Sequence, residues 1–160
     1  MQYELTPSVT QPVCTVVRRT TPTLAAISQE ATRLRSWALI MGERVTGLPF
    51  ARLLGPETCS VHLPVEGRVT PHPETGIERE DSAEQACMSL RVVRFDELRD
   101  VLRELSAEIA VDCGLAGAPE FHPSTAEFTL GTVLWPVYRQ PAAQHRVLTV
   151  ADAHRAALVS

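Results

Sequence analysis

At 160 residues the chain is long enough to bury a core without disulfide or metal staples, and 44% hydrophobic with 21% charged residues fits neither a disordered nor a membrane-embedded chain. Fifteen Lys and Arg against 19 Asp and Glu leave a net charge of −4, which argues against generic affinity for nucleic-acid phosphates and favours cationic partners. No run approaches the roughly 18 apolar residues of a spanning helix, and Met1 to Leu5 lead into no signal-like apolar region, so the expectation is a cytoplasmic protein with no membrane and no direct nucleic-acid contact. Cys14, Cys59, Cys87 and Cys113 are widely spaced, without a Cys-x-x-Cys pair, so they read as reduced thiols; no metal and no cofactor is expected.

Tyr3 to Leu5 and Val13 to Arg18 are short β-prone runs broken by Pro7 and Pro12, an entry strand with a kink or an edge position. Thr21-Pro22 supply a helix start, Thr21 as N-cap and Pro22 in the first turn. Leu24, Ile27, Ala31, Leu34, Ala38 and Met41 then follow at steps of three and four, the stripe of a helix ending near Gly42. Phe50 to Leu54 and Thr58 to Val65, with Gly55-Pro56 between them, read as a β-hairpin.

Residues 66–84 hold Gly67, Pro71, Pro73 and Gly76 with the acids Glu74, Glu78, Glu80, Asp81 and Glu84, the composition of a solvated linker. Ala86 to Val93 restart a strand, Asp96 is placed to cap a second helix, and Leu98, Val101, Leu102, Leu105 and Ile109 share one helical face before Gly114 ends it. His122-Pro123-Ser124 look like a turn, Ala126 to Val137 have strand composition, and residues 139–160 carry only a weak helical pattern, a C-terminal appendage.

The two halves repeat each other. Val61-His62-Leu63-Pro64-Val65 is echoed by Val133-Leu134-Trp135-Pro136-Val137, and Gly47-Leu48-Pro49-Phe50 by Gly114 to Phe121. This predicts an α+β fold of duplicated strand–helix–strand–strand modules related by a pseudo-two-fold, with an antiparallel sheet, one helix per module and a ligand groove between them. Module one is expected over 1–66, an acidic linker over 67–84 and module two over 85–138.

The helix carrying Trp37, the Gly-Leu-Pro-Phe-Ala-Arg stretch (47–52), the Val-His-Leu-Pro-Val strand (61–65) and the closing Leu-Trp-Pro-Val (134–137) resemble a GyrI-like effector-binding domain over about Tyr3 to Tyr138. The resemblance implies a groove between halves that takes diverse, often cationic and aromatic, small molecules. Since the two modules consume the chain, it implies the free-standing type rather than one fused behind a DNA-binding helix pair, with a second copy of the chain as a candidate partner. The family's pocket commonly holds an acidic residue just after the second helix, in a Pro-x-Glu-like setting, and Glu120 after Pro119 matches it. A carboxylate alone in an apolar cleft is costly, and an organic cation relieves that cost. Two departures stand out: Thr132 occupies a place that is acidic in many members, and Leu134 one that holds tyrosine. Two Trp, two Tyr and four Phe also make for a sparse aromatic cage.

Alternation along the last strand puts Val133, Trp135 and Val137 on a core face and leaves Phe128, Leu130, Thr132 and Leu134 opposite, matched by Thr58, Ser60 and His62, as groove lining. Phe50 and Tyr138 are placed to reach the groove's ends, Phe121 follows Glu120, and Trp37 flanks the helix stripe, between core and ligand platform. His62 reads as a ligand-positioning group or base, or as a satisfied strand residue. Ligand-binding candidates are therefore Glu120, Trp37, Phe50, His62, Phe121, Phe128, Thr132, Leu134 and Tyr138, with no catalytic residue assigned. Two other readings compete with simple binding or sequestration. One is hydrolysis of a reactive cyclopropane-type genotoxin by water that Glu120 orients; the other is inhibition of a topoisomerase, with acids 74–84 mimicking phosphates.

Overall fold

Alternating apolar positions need a partner strand to cover them, and residues 2–141 and 146–149, which the computed structural model describes, find those partners within one antiparallel sheet. Its strands are β1 (Gln2–Thr10), β2 (Val13–Thr20), β3 (Phe50–Leu53), β4 (Cys59–Val65), β5 (Glu78–Ser82), β6 (Gln85–Arg94), β7 (Glu120–Pro123), β8 (Leu130–Pro136) and β9 (Arg146–Thr149). They lie side by side in the order β5-β2-β4-β3-β7-β8-β6-β1-β9. Helices α1 (Leu24–Met41) and α2 (Leu98–Cys113) follow β2 and β6, so each half is strand–helix–strand–strand, as the repeat predicts.

The duplication is visible at the level of single contacts. Thr46 N–H donates to the Pro64 carbonyl at 3.0 Å, and Ala116 N–H to that of Pro136 at 2.8 Å. Val45 bridges to Val65 as Leu115 does to Val137. The halves meet where β3 pairs with β7, Ala51 opposite Phe121 and Arg52 opposite Glu120. The pseudo-two-fold passes through this seam.

Two expectations are corrected at the sheet's flanks. The first run of the chain is not one kinked strand: the break at Gln11-Pro12 separates β1, which pairs with β6 of the other half, from β2, which pairs with β4 and β5. Residues 78–82, read as solvated linker, form β5 on the edge of β2. Its charged composition misleads because edge strands carry charges that deter pairing with other chains. The halves thus exchange strands, β1 and β5 each pairing with the half to which they do not lead.

One core joins the helical stripes to the strands: Ile27, Ala31, Leu34 and Ala38 of α1 and Leu98, Val101, Leu105 and Ile109 of α2 pack with Val16, Val61, Leu63, Val133 and Trp135. Trp135 is the core anchor its alternation predicts, and its indole N–H donates to Ser106 Oγ at 3.0 Å. Glu30 interrupts the inner stripe of α1, buried and paired with Arg18 and Arg33. The caps differ from expectation. Thr23, not Thr21, accepts from Ala26 N–H at 3.2 Å, because Pro22 stands ahead of the helix. The chain enters α2 through a 3₁₀ turn at Phe95–Glu97, and Asp96 pairs with Arg94 instead of capping. The last strand is shorter than its composition suggests, with a turn over 124–129 splitting β7 from β8. Of the appendage expected over 139–160, residues 146–149 form a strand on β1 rather than a helix, and residues 142–145 and 150–160 lie outside the described residues. Among the described residues no helix is long and apolar enough to cross a membrane.

Candidate functional site

The register of β3 against β7 decides which side chains share the seam. Ala51 and Phe121 face the core, both fully buried. Alternation then sends Phe50, Arg52, Glu120 and His122 to the opposite face, away from the helical core. Extending the pairing outward places His62 opposite Phe50, Ser60 opposite Arg52, Leu134 opposite Glu120 and Thr132 opposite His122. Two cross-strand rungs result. One is a ring ladder in which Phe50 stacks on His62 at 4.9 Å and on His122 at 4.3 Å between centroids. The other is ionic.

In the ionic rung Arg52 Nε donates to Glu120 Oε2 at 3.0 Å and Arg52 Nη1 to Glu80 Oε1 of β5 at 2.8 Å. His122 Nε2 lies 3.0 Å from Glu120 Oε1 and donates to it. Burial by itself would raise the Glu120 pKa, but the His122 hydrogen bond and the His122 and Arg52 charges outweigh it and hold the carboxyl below its ordinary value. Burial likewise works against the Arg52 charge, and Glu80 and Glu120 more than restore it. The isolated anion expected from the sequence is therefore a paired one.

His62 resolves in favour of the satisfied strand residue. It is fully buried, with Nδ1 3.2 Å from Thr15 Oγ1 and Nε2 2.7 Å from Ser60 Oγ. Burial first, and then the Arg52 charge, push its pKa down to about 4, so the ring is neutral at pH 7.

Above the rungs lies a groove of about 640 Å³, within the range typical of small-molecule sites. Module one contributes Leu48, Phe50, Leu54 and Pro64 to its walls, and module two Ala116 to Ala118, Leu134 and Pro136. The β1–β2 corner at Thr10 and Gln11 and the β5–β6 corner from Ser82 to Gln85 close its flanks. A larger cavity of about 850 Å³ opens between the β3–β4 turn and the start of α2, lined by Pro22, Leu53, Pro56, Phe95, Leu98 and Leu102. It has no buried charged group and none of the candidate residues, so the seam groove is the better-equipped site despite its smaller volume.

Of the nine candidates, Glu120, Phe50 and Leu134 line the groove. His62 lies beneath Phe50, and Thr132 stands half-buried beside His122 outside the lining. Trp37 packs half-buried against the core. Phe121 and Phe128 are corrections: both belong to the core, 0% and 1% exposed, Phe121 edge-on to Phe95, because β7 begins at Glu120 and the turn over 124–129 breaks the assumed alternation. Tyr138 is 76% exposed beside Gly114, away from the groove. Arg52, Glu80 and His122 were missed. His122 was hidden by the turn-like His-Pro-Ser string; read as strand, its place two residues after Glu120 sends it to the same face.

No family model matches the chain, and no curated protein matches it. Among solved structures, the C-terminal domain of EcmrR is similar with a TM-score of 0.65 at 11% identity, over 86% of this chain and 99% of that one. EcmrR in a complex with DNA is similar with a TM-score of 0.64 at 11% identity, over 86% of this chain and 58% of the longer EcmrR chain. At this identity the likeness is one of fold: the chain shares the α+β architecture of the EcmrR C-terminal domain.

Proposed function

We propose that the chain is a GyrI-like effector-binding domain, one domain over residues 1–138, that binds or sequesters an amphipathic small molecule in the seam groove. One observation carries the reading: a groove of about 640 Å³ has apolar walls from both modules and a charged rung, Arg52–Glu120, on its floor. Apolar walls supply affinity roughly in proportion to the area they cover, and a few fixed polar groups orient the guest. Among the lining residues Glu84 and Glu120 outnumber Arg52, so the local charge favours a guest with a cationic part.

Isothermal titration and thermal melting against a panel of cationic and zwitterionic aromatic dyes test this. A ligand at 100 times its Kd should stabilise the fold by about 2.7 kcal/mol. Ala118→Trp, which fills the groove from a partly exposed wall, is expected to abolish binding while leaving the unliganded melting temperature nearly unchanged. Silence across the panel rejects the reading.

The Glu120–His122 contact favours a second reading, hydrolysis, because a carboxylate that orients an imidazole is a general-base arrangement. Turnover of a reactive cyclopropane-type substrate that persists in His122→Gln and Glu120→Gln rules that out.

A further inference from the structure

The groove's charged floor is not a bare anion awaiting a cation. Both Glu120 oxygens are engaged, one by His122 and one by Arg52 Nε, and Glu80 holds Arg52 from the other side at Nη1. A simple lipophilic cation approaching Glu120 meets the Arg52 guanidinium at the same carboxylate and has to displace it or share with it. The third guanidinium nitrogen tells a different story: Arg52 Nη2 has no hydrogen-bond partner among the described residues, and Arg52, its side chain 23% exposed, lines the groove. A guanidinium held in place by two carboxylates, with its Nη2 left without a hydrogen-bond partner, is preorganised for an anionic or carbonyl oxygen. The cationic need remains, because Glu84 lies on the groove flank and Glu80 already sets a second carboxylate against Arg52.

We infer that the groove selects a zwitterionic amphiphile, a guest whose carboxylate-type oxygen binds Arg52 Nη2 and whose organic cation faces Glu84, with its apolar body along Phe50 and Leu134. The inference rests on the seam groove being the binding site. It differs from recognition of a lipophilic cation in giving Arg52 the selecting role, with Glu120 as the residue that positions Arg52.

The test uses the full chain with two dyes that differ in one group: rhodamine B, an aromatic cation carrying a free carboxylate, and its ethyl ester, the same cation without one. Fluorescence anisotropy at neutral pH should show the free acid binding at least about ten-fold more tightly, the size of effect one charge-assisted hydrogen bond supplies. In Arg52→Gln the order should reverse, since the acid's carboxylate then meets Glu120 and Glu84 without the Arg52 counter-charge, whereas the ester carries none to be repelled. Arg52→Lys, which keeps the charge but not the fork, should narrow the preference, and it serves if the Gln variant does not fold. Ala118→Trp should remove binding of both dyes. An ester that binds the unaltered chain as tightly as the acid, or more tightly, overturns the inference and leaves the groove reading standing. If neither dye binds, or if binding survives Ala118→Trp, both are overturned.

Discussion

Two buried ionisable residues outside the groove show how single side chains hold the framework that shapes it. Glu43, just past α1 and 6% exposed, accepts backbone N–H groups of Gly67, Arg68 and Val69 at 2.8, 3.2 and 2.7 Å. One carboxylate thus anchors the chain where it leaves β4. Glu43→Gln replaces one acceptor oxygen with a donor and strands at least one of these N–H groups, so urea unfolding should show a loss of roughly 1–3 kcal/mol. His62 provides a pH signature. Its pKa is 6.5 when unperturbed and about 4 in the fold, so the unfolded chain binds more protons between these values. The stability contributed by burying a neutral ring is complete above pH 6.5 and is lost as pH falls towards 4, up to roughly 3 kcal/mol. Glu120 works in the same direction in a lower window, since its depressed pKa makes its contribution fall away only below the ordinary 4.5. Melting curves across pH should therefore decline in two stages. His62→Gln, which keeps hydrogen-bonding partners for Thr15 and Ser60, should flatten the upper stage alone.

At the scale of elements, the site depends on how closely β7 and β8 approach. Gly131 on β8 lies opposite Pro123, and a Cβ there would press on the His122 carbonyl oxygen and come within 2.9 Å of Phe121 Cζ. Neither neighbour is the flexible end of a long side chain. Gly131→Ala should therefore force the strands apart and cost about 1–3 kcal/mol. Because His122 moves with its backbone, groove affinity should fall by more than the stability loss alone explains, measured as dye binding well below the melting temperature. Elements with a clear local period were legible in the sequence: both helical stripes, the β3–β4 hairpin and the β6 strand. β5 and β7 were not, since a charged edge strand resembles a linker and a four-residue strand ending in Pro123 resembles a turn.

At the scale of the whole molecule, the exchange of β1 and β5 makes each half incomplete. A fragment covering 1–66 lacks β5 beside β2 and leaves β1 without β6, and one covering 67–160 lacks β1 beside β6. Neither fragment should fold alone by circular dichroism, whereas an equimolar mixture should recover strand signal and dye binding. Two fragments that fold independently would show that the exchanged strands are dispensable.

By itself the sequence determined the α+β class, the duplication and the face each long element buries, because periods of 3.6 and two are set by neighbours a few residues apart. It also marked Glu120, Phe50 and Leu134 for the groove. Only tertiary structure decided that Arg52, 68 residues from Glu120, would neutralise it, that Glu80 would reach across from an edge strand, and that Phe121 and Phe128 would turn into the core. The reason is geometric: periodicity says which way a side chain points, whereas the register between distant strands says what it meets, and a shift of one residue would replace the charged rung with Ala51 and Phe121.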